Sequence, residues 1–247
     1  VLYSYPGSGD TTVVHLSRSL PVSQKGELGR GLKGADVRFS VNGEAVSLAW
    51  TDDSIPGVPA QSYYAVKTYE DGDKVNITAA AEGMKAVSSA TVVPSRFPLT
   101  SINFVLKGGE PNQLQFWIHF TDNAQTKDYY ALKVERKRQF WNDSKYSVEN
   151  SSLTLNLDDE PLLNTSSGLD DILMIENEFY RNLYYWDDTK IQGKSYKVRL
   201  NTNYEADYED DFITPDGVEH IKCQVKYRIS LYSLSEEFYR YLKSLND

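Results

Sequence analysis

Carboxylates dominate the residues of this chain that could do chemistry. They fall in adjacent pairs at Asp52-Asp53, Asp158-Asp159, Asp170-Asp171, Asp187-Asp188 and Asp210-Asp211. Two carboxyl groups held at a set separation across a sugar, one as acid and the other as base or nucleophile, are the machinery of glycoside hydrolysis. Adjacency in sequence does not create that separation, and solvated loops account for such pairs without any chemistry. The densest run, from Glu205 through Asp207 and Glu209 to Asp210-Asp211, could offer a hard cation several oxygens. It lacks the glycine and ligand order of an EF-hand loop, so no metal is expected there.

The histidines, His15, His119 and His220, stand apart, with no HxH or HExxH spacing to bind a metal. No GxSxG elbow, phosphate-binding loop or GxGxxG turn is present, so hydrolase, nucleotide and dinucleotide readings have no foothold. No catalytic residue is assigned and no cofactor is expected. Aromatic side chains offer a different chemistry, because their apolar faces beside polar groups suit sugars or peptides. Phe140-Trp141 precedes Asn142-Asp143, and Tyr184-Tyr185-Trp186 precedes Asp187-Asp188. Trp141, Tyr184, Tyr185 and Trp186 are therefore the candidate ligand-binding residues, with the reservation that half of such a run must face the core if it is a strand.

These side chains must be positioned by strands. Ala35, Val37, Phe39 and Val41 alternate with Asp36, Arg38, Ser40 and Asn42, the pattern of a half-buried strand. Asn42-Gly43 supplies the positive-φ positions of a type I′ turn, and Val46, Leu48 and Trp50 resume the alternation on a return strand. Short strands over Ser62–Tyr69, Lys74–Ala81 and Ala86–Val93, punctuated by turns, predict an immunoglobulin-like sandwich over 1–95. Pro94 and Pro98 bracket a boundary, because neither continues a central strand.

The second region, 96–247, opens with Thr100–Leu106 and a Gly108-Gly109 turn. Leu114, Phe116, Ile118 and Phe120 then alternate, and Tyr130, Leu132 and Val134 form the inner face of what reads as the partner strand of a second hairpin. Residues 137–190 are the least patterned: Asn142–Ser167 reads as polar loop, and Leu169–Tyr185 as either a short helix or a strand. Tyr196, Val198 and Leu200 mark a further strand, Asn201–Asp216 an acidic insertion, and Glu219–Leu231 the longest alternating run. At the end the period changes: Leu234, Phe238, Tyr241, Leu242 and Leu245 form one stripe of a helix, with Ser233 and Glu236 spaced as a capping box. The fold class is all-β, with a short C-terminal α-helix on an antiparallel domain.

Bulk composition narrows the partners. A net charge of −9 argues against nucleic acid, which needs a basic footprint, and against adsorption to anionic lipid. The single cysteine, Cys223, excludes an intramolecular disulfide and sits on the apolar side of an alternating run, as a small core residue does. No stretch approaches the roughly 20 apolar residues of a membrane helix. The chain opens at Val1 with no leader, as expected of a mature or trimmed form.

The order of short motifs points to a family. Val13-Val14-His15-Leu16-Ser17-Arg18-Ser19 precedes Gly34-Ala35-Asp36-Val37, followed by Tyr64, Asp71-Gly72-Asp73 and Ala90-Thr91-Val92-Val93-Pro94. Phe120-Thr121-Asp122 leads to Asp128-Tyr129-Tyr130. Trp186-Asp187-Asp188 with Gly193-Lys194, and the closing Leu234-Ser235-Glu236-Glu237-Phe238-Tyr239-Arg240-Tyr241-Leu242, complete the series. Over nearly the whole chain this resembles the Bacteroidetes lipoproteins grouped as domain of unknown function 4249 (DUF4249). The resemblance implies export, an N-terminal lipid anchor as the sole membrane contact, an outer-membrane location, and association with a TonB-dependent transporter; it brings no catalytic residues. The function expected is a non-enzymatic surface lipoprotein that captures a glycan or peptide ligand or scaffolds an uptake complex. The alternative is a carboxylate-dependent glycan hydrolase, which would need two carboxyls facing across an aromatic-lined cleft.

Overall fold

The computed structural model describes residues 2–4, 6–7, 9–18, 31–107, 113–142, 145–165, 183–215 and 217–244. The Gly108-Gly109 turn, Asp170-Asp171, Leu245 and most of Leu169–Tyr185 lie outside the described residues. The chain divides into two compact units, Val1–Ser95 and Arg96–Asp247.

In the first unit the strands are β1 (Leu2–Ser4), β2 (Thr11–Leu16), β3 (Asp36–Val41), β4 (Glu44–Val46), β5 (Ala49–Thr51), β6 (Ser62–Val66), β7 (Lys74–Ala80) and β8 (Val87–Val92). They form two antiparallel sheets, ordered β1-β2-β6-β5 and β4-β3-β7-β8. Asn42 and Gly43 take φ of 53° and 86°, both in the left-handed region that a type I′ turn demands between β3 and β4. Alternation on β3, β7 and β2 delivers Phe39, Val41, Val75, Ile77 and Val14 to one core between the sheets. The return strand expected from Val46 to Trp50 is not continuous. It stops at Val46, and Ala49–Thr51 crosses to pair with β6 in the other sheet. Val46, Leu48 and Trp50 all still pack on the core, so the apolar alternation survives a change of layer.

Among the described residues the second unit contains β9 (Leu99–Leu106), β10 (Gln113–Thr121), β11 (Tyr129–Asn142), β12 (Lys145–Ser152), β13 (Asn164–Thr165), β14 (Tyr184–Asp187), a 3-10 turn at Asp188–Lys190, β15 (Ser195–Asn203), β16 (Tyr208–Thr214), β17 (Gly217–Leu234) and an α-helix, α1 (Glu236–Ser244). One sheet is ordered β15-β10-β9; the other runs β13-β14-β11-β17-β16, with β12 also paired to β11. The hairpin expected between β10 and β11 does not form. The chain between them passes from one sheet to the other, so Phe120 meets Tyr130 edge to face across the core at 5.5 Å and not along a ladder. Two strongly apolar faces gain more by covering each other than by lying side by side with both exposed.

Asn142–Ser167, expected as loop, contains strand β12. Its alternation of Tyr146 and Val148 with serines is real, but sparse in β-branched residues. At the C-terminus the helix is capped by Ser235, whose Oγ accepts the Phe238 N–H at 3.3 Å, because Ser233 is still within β17. Leu242 and Tyr239 are its buried residues, docked on Ala131, Leu183, Tyr185 and Leu234. Tyr241, expected in the buried stripe, faces solvent at 36% exposure.

Candidate functional site

β11 is long enough to serve two environments. Its first half lies in the body of the unit, where Tyr130, Leu132 and Val134 face the core and Ala131 faces the helix. Its second half pairs with β12 on one side and β17 on the other, and β17 pairs with β16. These strands make an antiparallel face beyond the core. Register puts Trp141 directly opposite Tyr146 and Lys222, and Gln139 opposite Val148 and Gln224. Cross-strand partners share a face, so the aromatic pair and both amides look the same way.

Trp141 and Tyr146 lie 5.4 Å apart at 47° and are 38% and 51% exposed, with Val148 exposed beside them. The Tyr146 hydroxyl accepts a hydrogen bond from Gln139 Nε2 at 2.6 Å, which holds the phenol against the sheet. Both rings therefore keep an accessible apolar surface next to polar groups on a rigid ladder.

The other three candidates are placed elsewhere. Tyr184, Tyr185 and Trp186 are 2%, 3% and 1% exposed. As β14 they alternate between the two interiors of the unit: Tyr184 and Trp186 enter the core between the sheets, and Tyr185 packs under α1. A strand buried on both faces reads in sequence like an exposed aromatic run, and these three have no surface to offer a ligand. Sequence reasoning missed Tyr146, Gln139 and Val148. The usable signal was the alternation of Lys145–Ser152 immediately after Trp141, which a hairpin would fold back across it.

The reverse side of this sheet is braced. Arg138 grips both oxygens of Glu205 (Nε to Oε1 2.7 Å, Nη2 to Oε2 2.8 Å) and also reaches Glu149 at 2.9 Å. Arg136 adds a 2.6 Å contact to Glu205. The Arg138 hydrogen bonds hold the Glu205 carboxyl below its ordinary range against the opposing effect of burial. Cys223 is buried on this side, and burial pushes its thiol up. The stretch expected as an acidic insertion, Asn201–Asp216, instead ends β15 and forms β16, and its acids are split among several duties. Glu205 holds the arginines, Asp207 accepts the Val225 N–H at 2.8 Å, and Glu209 and Asp211 clasp His220 at 2.9 and 2.7 Å. Those two acids raise the His220 ring, Asp211 contributing most.

Among the described residues, the carboxylates that do converge are Asp122, Asp128 and Asp188, with oxygens within 4.8 Å of one another. Asp122 accepts from the Tyr130 hydroxyl at 2.8 Å and the Gly193 N–H at 2.7 Å. Gly193 has φ +65°, and a Cβ there would lie 2.7 Å from that of Ala124. Asp188, fully buried, accepts from the Asp128 N–H at 2.7 Å and pairs with Lys127. Asp128 accepts from Thr126 Oγ1 at 2.6 Å. Burial, with Asp122 and Asp188 close by, raises the Asp128 carboxyl, and burial and Asp122 raise the Tyr130 phenol. With these donors already in place, the cluster reads as a polar knot that ties the Thr121–Asp128 connection to β14. The remaining acid pairs are dispersed: Asp52 pairs with Lys33 at 2.6 Å in the first unit, and Asp159 with Lys107 at 3.1 Å.

A family model described as "Domain of unknown function (DUF4249)" matches residues 1–247. No curated protein matches the chain.

Proposed function

This chain belongs to the DUF4249 family, and on that premise we propose that it is a non-enzymatic surface lipoprotein that captures a glycan on the Trp141–Tyr146 face. The observation that carries the reading is that face itself. Two aromatic rings stand exposed and adjacent on a braced ladder, in one cross-strand row with Lys222 and next to the row that carries the Gln224 amide. The weakly positive C–H groups of a pyranose ring pack on the negative face of an aromatic ring, while amides meet its hydroxyls.

The hydrolase alternative is favoured by one observation, the convergence of Asp122, Asp128 and Asp188. Asp122 and Asp188 are 4% and 0% exposed and held by internal donors, which leaves them poorly placed to meet a sugar. Outer-membrane anchoring through an N-terminal lipid and delivery to a TonB-dependent transporter complete the proposal, on the strength of the resemblance set out from the sequence.

Titration calorimetry against a panel of soluble polysaccharides tests the binding reading. Trp141→Ala should weaken binding by at least about 30-fold, the loss of a central aromatic anchor. Binding indifferent to both Trp141→Ala and Tyr146→Ala would refute this face as the site. Release of reducing ends by the wild type, abolished in Asp128→Asn, would replace the reading with the hydrolase.

A further inference from the structure

The aromatic pair is one end of a longer array. Along β11, alternate residues on the open face are Trp141, Gln139, Lys137 and Glu135, and their β17 partners are Lys222, Gln224, Lys226 and Arg228. On the β12 side the same rows continue as Tyr146, Val148, Asn150 and Ser152. The acids of this face are already answered. Glu135 lies 3.7 Å from Lys133 and 4.0 Å from Arg228; Glu209 lies 2.9 Å from His220 and 3.7 Å from Lys222. Asp207 is turned into the strand edge, on the Val225 N–H.

Lys137 and Lys226 are different. They are direct cross-strand partners, and among the described residues no carboxylate pairs with either. Like charges placed directly opposite in a ladder oppose its formation. Lysines often guard sheet edges against stray pairing, and Lys226 does lie where β17 has outrun the β16 ladder, which ends at Cys223; Lys137 has no such duty, since β11 is paired there with β12 on one side and β17 on the other. In a chain of net charge −9, two unanswered cations on the same face as an exposed aromatic pair call for an anion.

We propose that the ligand captured here is an acidic glycan, a chain carrying carboxylate or sulfate groups. This rests on the glycan reading above and narrows it. Trp141 and Tyr146 stack one ring, and Lys137 and Lys226 together receive the acidic group of a ring farther along. The two features lie two rows apart, with the Gln139 row between them, roughly 13 Å along the strand, which suits a short oligosaccharide lying parallel to β11. Lysine serves as a point charge for such groups, so attraction rather than bidentate geometry sets the preference.

The test uses matched polymers, polygalacturonate against its methyl ester and alginate against its propylene glycol ester, titrated into the intact protein. At least one acidic member should bind tenfold or more tightly than its neutral counterpart, and more weakly as salt rises. Lys137→Gln with Lys226→Gln should erase that difference while Tm stays level or rises, since a repulsion has been removed. Equal binding of acid and ester, still lost in Trp141→Ala, overturns the acidic preference and leaves the glycan reading standing. Failure of every polymer, acidic and neutral, overturns both. Binding of phosphatidylglycerol vesicles or oligothymidylate through the same lysines, in the absence of glycan binding, also overturns it.

Discussion

Replacing Leu242 by Ala measures how firmly the C-terminal helix belongs to the fold. Leu242 is 0% exposed, packed with Ala131, Leu183, Tyr185, Leu234 and Tyr239. A helix of nine residues is marginal by itself, so its order derives from this contact. Truncating a fully enclosed leucine removes its burial energy and leaves a cavity, together about 2.7–5 kcal/mol. For a unit running from Arg96 to Asp247, each kcal/mol lowers Tm by roughly 2–4 °C, so a fall on the order of 5–20 °C is expected. Tyr241 is the internal control: it is 36% exposed and stacks on Phe238 at 6.3 Å. Its replacement by Ala should cost no more than about 1 kcal/mol. Urea denaturation of the intact protein, followed by tryptophan emission, reads both, because Trp117, Trp141 and Trp186 all lie in this unit. Equal and small midpoint shifts for the two variants would show that the helix is held by something other than this pocket.

Two further outcomes follow from the bracing behind the binding face. Glu205 has its pKa lowered in the folded protein, chiefly by Arg138, so its contribution is present above the unfolded value and lost as pH falls through the folded one. The stability gap between wild type and Glu205→Gln, about 1–3 kcal/mol at neutral pH, should therefore shrink below about pH 4.3; a gap constant down to pH 3 in urea melts would contradict the assignment. Cys223 is 1% exposed with its thiol pKa raised, so it should react with a thiol reagent only after denaturant is added, and rapid labelling of the native protein would contradict its burial.

What the sequence made legible was strand content and the faces of individual strands. The Asn42-Gly43 turn and the alternation of β3 locate a hairpin because the turn chemistry and the pattern are both local. Partner choice is not local. Phe116, Ile118 and Phe120 alternate in the same way whether Tyr130 and Leu132 lie beside them or across from them, so the crossing between β10 and β11 leaves no mark on the pattern. For the candidate site, Trp141 was visible as an aromatic beside polar residues. Tyr184, Tyr185 and Trp186 carried the same signature for the opposite reason, since a strand enclosed on both faces is also aromatic-rich. Lys137 and Lys226 become a pair only through the register of β11 on β17, which joins residues far apart in the chain.

That register also dictates an order of events. The ladder of β11 on β17 extends from Tyr129↔Leu234 to Asn142↔Ile221, so every rung closes a loop of roughly 80–100 residues. Such closures are slow, and β17 follows every other strand of this unit in the chain. Until it arrives, the apolar strand β11 lacks its principal neighbour and presents open backbone along its length. Assembly of the binding face is therefore a late step for this unit: the aromatic pair can form early on the β11–β12 hairpin, but the lysine pair exists only once β17 has joined β11. A molecule in which β17 has not yet paired would carry the stacking surface with Lys137 alone, and would meet ligands as a different receptor from the finished one.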